Sequence, residues 1–201
     1  MSETVLFESP LARFDLAVRA AKPMAGAGIV STEHAFLGHL NLRGDPGDPR
    51  FVAAISSVLG VAPPVTANTV VETGSATIYW LGPDEWLIVT SGDRVTDLKH
   101  RLRDALAAIR QSVTDVSGGQ TVVVLRGAPV RELLAKGCPL DLHPRAFAIG
   151  QCAQSHLAKA PILLRPILDG SAFELVFRRS FADYIWTWLE DAAAEWGLAA
   201  R

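Results

Sequence analysis

The chain has 201 residues and a formal net charge of -2, from 19 Lys and Arg against 21 Asp and Glu, and 49% of it is hydrophobic. That length buries a sizeable core without disulfides or metal, and the balanced charge lacks the one-signed excess that nucleic acid or an anionic membrane surface selects. Two cysteines, no basic-then-apolar leader and no apolar run near the roughly 20 residues of a membrane span predict a soluble, cytoplasmic protein without partners in nucleic acid or membrane.

Counted with glycine, the apolar share exceeds that of an ordinary soluble domain. The surplus fits either a large core in an Ala-rich chain or a surface that faces a partner. The first 35 residues carry little pattern. Pro23-Met24-Ala25-Gly26-Ala27-Gly28 reads as a turn after an N-terminal strand. Gly26-x-Gly28-x-x-Ser31 has part of the spacing of a dinucleotide loop. Lys22-Pro23 stands where that loop requires a buried strand, and its third glycine is missing, so a flexible loop is expected.

From residue 36 onward the chain reads as one unit written twice, about 36–110 and again from 113, which divides it into an N-terminal lobe, 1–112, and a C-terminal lobe, 113–201. His39-Leu40-Asn41-Leu42-Arg43-Gly44 and Val122-Val123-Val124-Leu125-Arg126-Gly127 alternate like strands. Each leads into a short helix, with Phe51, Val52, Ile55, Val58 and Leu59 on one face of the first and Val130, Leu133 and Leu134 on one face of the second. Gly60 and Gly137 suit left-handed helix ends. Hairpins follow around Gly82-Pro83-Asp84-Glu85 and Asp169-Gly170. Amphipathic helices close the units, and Leu98 and Leu102 map onto Ile185 and Leu189. The prediction is an α+β fold of internally duplicated strand-helix-hairpin-helix units, with antiparallel sheets covered by helices in one compact two-lobed domain.

Few residues point to chemistry. Cys138, His143, Cys152 and His156 are metal-ligand types, but only Cys152 and His156 approach a structural zinc spacing, and a buried thiol with scattered histidines is the simpler reading. Asp84-Glu85 and Glu190-Asp191 are neighbours whose side chains point apart. No nucleophile elbow, phosphate-binding loop or zinc-protease helix occurs, so no catalytic, metal or cofactor-binding residue is assigned. Among the five tryptophans, Trp86 and Trp186 fit core stripes, which leaves Trp80 and Trp188 as candidate anchors for a partner.

Thr114-Asp115-Val116-Ser117-Gly118-Gly119-Gln120, the strand to Leu125 and Gly127-Ala128-Pro129 resemble the opening of folate-dependent aminomethyltransferase domains. Asp115 is the nearest candidate for that family's folate contact, and its plainer role is to cap a turn. Lys136-Gly137-Cys138-Pro139-Leu140-Asp141-Leu142-His143-Pro144, Gly150-Gln151-Cys152-Ala153-Gln154, Leu157-Ala158-Lys159 and Leu81-Gly82-Pro83-Asp84-Glu85-Trp86-Leu87 are similar to the gamma-subunit family of heterotetrameric sarcosine oxidase. So is the run Arg178-Arg179-Ser180-Phe181-Ala182-Asp183-Tyr184-Ile185-Trp186-Thr187-Trp188-Leu189. The resemblance implies an aminomethyltransferase-like fold and an accessory subunit beside alpha, beta and delta subunits. It implies that flavins, NAD, zinc and tetrahydrofolate are held by those partners, in a complex that demethylates sarcosine to glycine with release of hydrogen peroxide and passes the one-carbon unit to tetrahydrofolate. Two alternatives remain: a stand-alone tetrahydrofolate-binding protein of the aminomethyltransferase type, and a free-standing module with a pocket between its lobes.

Overall fold

Helix α1 (Leu16–Ala20) precedes strands β1 (Ile29–His34) and β2 (Gly38–Gly44) in the computed structural model, which describes residues 7–22 and 24–201. Helix α2 (Pro49–Leu59) starts where the Asp48 carboxylate accepts the Arg50 backbone N–H at 2.9 Å, with Pro49 in the first turn where no donor is needed. It buries Phe51, Ile55 and Leu59 and ends at Gly60, whose φ of 78° is left-handed. Strand β3 (Val70–Glu72) and the hairpin β4 (Ala76–Gly82) and β5 (Glu85–Thr90) follow, then helix α3 (Val95–Ala105), which buries Val95, Leu98 and Leu102.

The second unit repeats this order. Strands β6 (Gln111–Asp115) and β7 (Gln120–Arg126) lead to helix α4 (Val130–Ala135), strand β8 (Ala153–Leu157), the hairpin β9 (Ala160–Ile167) and β10 (Ala172–Arg178), helix α5 (Ala182–Ala192) and β11 (Leu198–Ala200). The Asp169 carboxylate accepts the Ser171 N–H in the hairpin turn, as its Asp-Gly pair predicts. Leu42 stands opposite Trp86, and Leu125 opposite Phe173, all four fully buried. Arg43 therefore corresponds to Arg126, and buried Leu98 and Leu102 to buried Ile185 and Leu189.

The five-stranded sheet runs β3-β4-β5-β2-β6 and the six-stranded sheet β11-β1-β7-β10-β9-β8, so β3-β4-β5-β2 and β8-β9-β10-β7 share one order. The strand before each unit crosses over: β1 pairs antiparallel with β7, and β6 with β2. A division at 112/113 thus cuts through β6 and assigns β1 to the wrong sheet. The physical reason is that local patterning identifies a strand, whereas long-range pairing decides its sheet.

Each sheet is covered by its own helices. One apolar cluster joins the six-stranded sheet to α4 and α5, with Leu125, Phe173, Leu175, Ile185, Trp186 and Leu189 among its members. A second joins the five-stranded sheet to α2 and α3 through Leu42, Phe51, Ile55, Trp86 and Leu102. At about 1.5–3 kcal/mol per fully buried large apolar side chain, these two layers carry most of the fold's apolar burial. The opposite faces meet in a third layer containing Tyr79, Leu87 and Val89 from one sheet and Val122, Leu163 and Val176 from the other.

Gly137 corrects the expected left-handed helix end, because it is absent from the positive-φ residues and Lys136 ends α4 in a right-handed conformation. Its lack of a side chain serves packing instead: a Cβ there would lie 2.5 Å from the Trp188 ring. Gly26 and Gly28 lead into β1 rather than out of a strand into a helix, so they form a turn and not a dinucleotide loop. Pro23, part of the same predicted turn, lies outside the described residues.

Candidate functional site

The two sheets present equivalent faces to each other. Leu87 corresponds to Glu174 and Tyr79 to Arg165, so like positions meet across the interface, with the Arg165 guanidinium 5.4 Å from the Tyr79 ring centre. The loops before β3 and β8 meet in the same way, through Val70 N–H to Gly150 O at 3.0 Å and Cys152 N–H to Asn68 O at 2.9 Å.

At the centre of this layer Arg165 is 6% exposed. Its Nε lies 2.7 Å from Glu174 and its Nη1 2.6 Å from Glu72, and the Tyr79 hydroxyl donates to the same Glu174 carboxylate. Burial opposes the Arg165 charge, but the Glu174 and Glu72 carboxylates hold it protonated. Burial, reinforced by the Glu174 charge, pushes the Tyr79 pKa well above that of an ordinary phenol, so it remains a donor. Burial also pushes the Cys152 thiol up to about 11, which suits a packed thiol and not a nucleophile. His39 is buried on the same face with Nδ1 3.1 Å from Leu37 O. Its Nε2 has no hydrogen-bond partner among the described residues.

Toward the β4–β5 turn and the β8–β9 turn the sheets part, leaving an open cleft of about 700 Å³. Leu87, Leu163 and Val176 form its apolar floor, and Asn41, Arg43, Glu85, Thr114, Gln120, His156 and Arg178 supply its polar groups. Glu85 accepts from Asn41 at 2.7 Å and pairs with Arg43, whose hydrogen bond holds the carboxyl below its usual range. Gln154 clasps the walls together by donating to Leu81 O at 2.8 Å. Arg178 and His156 are exposed and have no salt bridge or side-chain hydrogen bond among the described residues. The cleft's carboxylate is thus neutralised, while its cation is available. These groups bind and orient; they do not form a proton-transfer pair.

The sequence-assigned residues do not gather here. Trp80 and Trp188 are half-buried, Trp80 against the core beneath β4 and Trp188 over Gly137. Trp188 leaves the helix stripe but is caught by the segment after α4. Cys138 lies in the outer core, Cys152 in the inter-sheet layer, His143 in a loop and His156 at the cleft. Among the described residues no three His, Cys, Asp or Glu side chains converge on a metal position. Asp115 caps its turn through Ser117 N–H and Oγ–H at 3.1 and 2.6 Å. Although burial raises its pKa, these bonds and nearby Lys99 hold it low. Of the paired acids, Glu85 faces the cleft and Glu190 pairs with Arg19.

Sequence reasoning missed the Arg165–Glu174 pair. Its signal was present: each charge interrupts an apolar run, and counting back from Asp169-Gly170 places them opposite each other. The cleft had no local signal, because its walls come from both units.

A family model described as the sarcosine oxidase, gamma subunit family matches residues 43–195. The sarcosine oxidase subunit gamma of Corynebacterium sp. strain U-96 is 33% identical over 200 residues, covering 99% of this chain and 96% of that one. A chain of the heterotetrameric sarcosine oxidase from Corynebacterium sp. U-96, in complex with pyrrole 2-carboxylate, superposes with a TM-score of 0.85 at 32% identity, over 96% of this chain and 97% of the other. The glycine cleavage system aminomethyltransferase T of Bartonella henselae shares the fold, with a TM-score of 0.60 at 12% identity over 90% of this chain and 49% of that one.

Proposed function

The chain belongs to the sarcosine oxidase gamma subunit family, and from that premise we propose that it docks on alpha, beta and delta subunits and supports their chemistry without performing any step alone. It is an accessory subunit of an enzyme complex. In this reading the complex demethylates sarcosine oxidatively to glycine with release of hydrogen peroxide, in the cytoplasm. Flavins, NAD, zinc and tetrahydrofolate are held by the partners, and the one-carbon unit passes to tetrahydrofolate there.

The observation that carries the reading is likeness along nearly the whole of both chains. The cleft is consistent with it, since its groups suit recognition. The fold it shares with aminomethyltransferase says nothing by itself about folate.

The test is to purify the chain alone and with its partners. The free chain is expected to be colourless, metal-free and inactive on sarcosine, and to be required for assembly of an active complex that buries at least about 1,200 Å² at its interface. Flavin binding by the free chain, or micromolar tetrahydrofolate binding with one-carbon transfer, would overturn the reading in favour of a stand-alone folate enzyme.

A further inference from the structure

The duplication provides an internal control for the cleft. Of the cleft residues, Asn41, Glu85 and Arg178 correspond in the other unit to Val124, Ala172 and Ser91, while Arg43 has a like counterpart in Arg126. Polar and charged groups are thus concentrated at one end of an interface whose parent halves were alike. Burial of charge does not require this, because Arg178 and His156 are exposed and lack partners among the described residues. Nor does inter-sheet cohesion, which the Arg165 network and the Gln154 clasp already provide.

The rim is basic. Arg178 and Arg43 line it with His156, against the single Glu85 that Arg43 neutralises, so Arg178 is left as its one unpaired arginine among the described residues. The cleft is open to solvent along one side. A small molecule in it would keep much of its surface wet, whereas an extended chain segment would be held from both sheets.

Resting on the accessory-subunit reading above, we infer that the cleft receives an acidic segment of a partner subunit. A carboxylate of that segment pairs with Arg178, and its apolar side chains lie on Leu87, Leu163 and Val176. An Arg–carboxylate contact at a partly desolvated site is a strong, directional anchor, and charge complementarity of this kind selects the partner and speeds its approach.

The experiment uses the full chain assembled with its partner subunits, with a photo-cross-linking residue in place of His156. A cross-link to a partner peptide containing Asp or Glu supports the inference. In parallel, Arg178→Glu is expected to weaken assembly at least about tenfold and Arg178→Lys by no more than about threefold, with the free chains melting together. A cross-link confined to peptides without carboxylates, or Arg178→Glu assembling as tightly as wild type, overturns the inference and leaves the accessory role standing. Failure of the unmodified chain to join the complex overturns the accessory role itself, and the inference with it.

Discussion

The helix-covered layers and the layer between the sheets are built on opposite principles. The outer cores are predominantly apolar, with Phe51, Ile55 and Trp86 on one side and Phe173, Trp186 and Leu189 on the other, and their buried polar groups are the hydroxyls of Ser31, Thr90 and Thr121 among the described residues. The middle layer encloses Arg165, Glu174, Tyr79 and His39 among valines and leucines. Apolar contacts tolerate small shifts, but a buried ion pair is stable only in one geometry. The outer layers therefore supply stability, and the middle layer fixes how the two sheets sit on each other and hence the shape of the cleft.

The largest effect that tests this contrast is expected in the middle layer. Arg165→Met strands the Glu174 carboxylate without its cation, and is expected to cost about 4 kcal/mol in urea denaturation. The double variant Arg165→Met, Glu174→Leu should recover at least half of that, because it removes the orphaned charge. If the single variant is harmless, the pair is not the fastener described.

Next in size is an outer-core cavity. Leu189→Ala is expected to cost about 3 kcal/mol. Trp188→Ala, at a half-buried ring, should cost less in the free chain. A reversed order would contradict the helix stripe.

A smaller effect concerns pH. Burial keeps the His39 pKa below 6.5 despite its hydrogen bond to Leu37 and the charges of Glu174 and Asp115. As pH falls through about 6.5, the unfolded chain takes up a proton there and the folded chain does not. Stability should then drop by at most about 1.4 kcal/mol per pH unit until the folded pKa is reached. His39→Leu should flatten that window, as read by melts between pH 5 and 7.5.

The smallest effect is at the cleft rim, where Arg178→Gln should change free-chain stability by less than about 0.5 kcal/mol. A large loss would make Arg178 a structural residue and remove it from the recognition surface.

How much of this was legible in the sequence follows the range of each interaction. The hairpins announced themselves through Pro83-Asp84 and Asp169-Gly170, and the stripes of α3 and α5 through period alone, because both depend on near neighbours. The partners of β1 and β6 were not legible, since a strand's own residues do not name the strand it will join. Gly137 misled for a related reason: its local context fits a helix end, while its actual constraint is Trp188, fixed from another element. The cleft lay furthest from view. Asn41 and Arg178 are ordinary surface polar residues until the two sheets are placed face to face.

The crossing of β1 and β6 sets the timing of folding. On the ribosome the N-terminal sheet lacks its edge until residues 111–115 emerge, while β1 waits unpaired until residues 122–126 follow. Neither unit is complete until the other has been at least partly made, so the nascent chain has no early resting place and matures late, through contacts far apart in sequence. A gene cut anywhere between α3 and β6 would yield two polypeptides that are each incomplete, yet each carries the strand the other needs. Such fragments should find one another and rebuild the fold as a non-covalent pair.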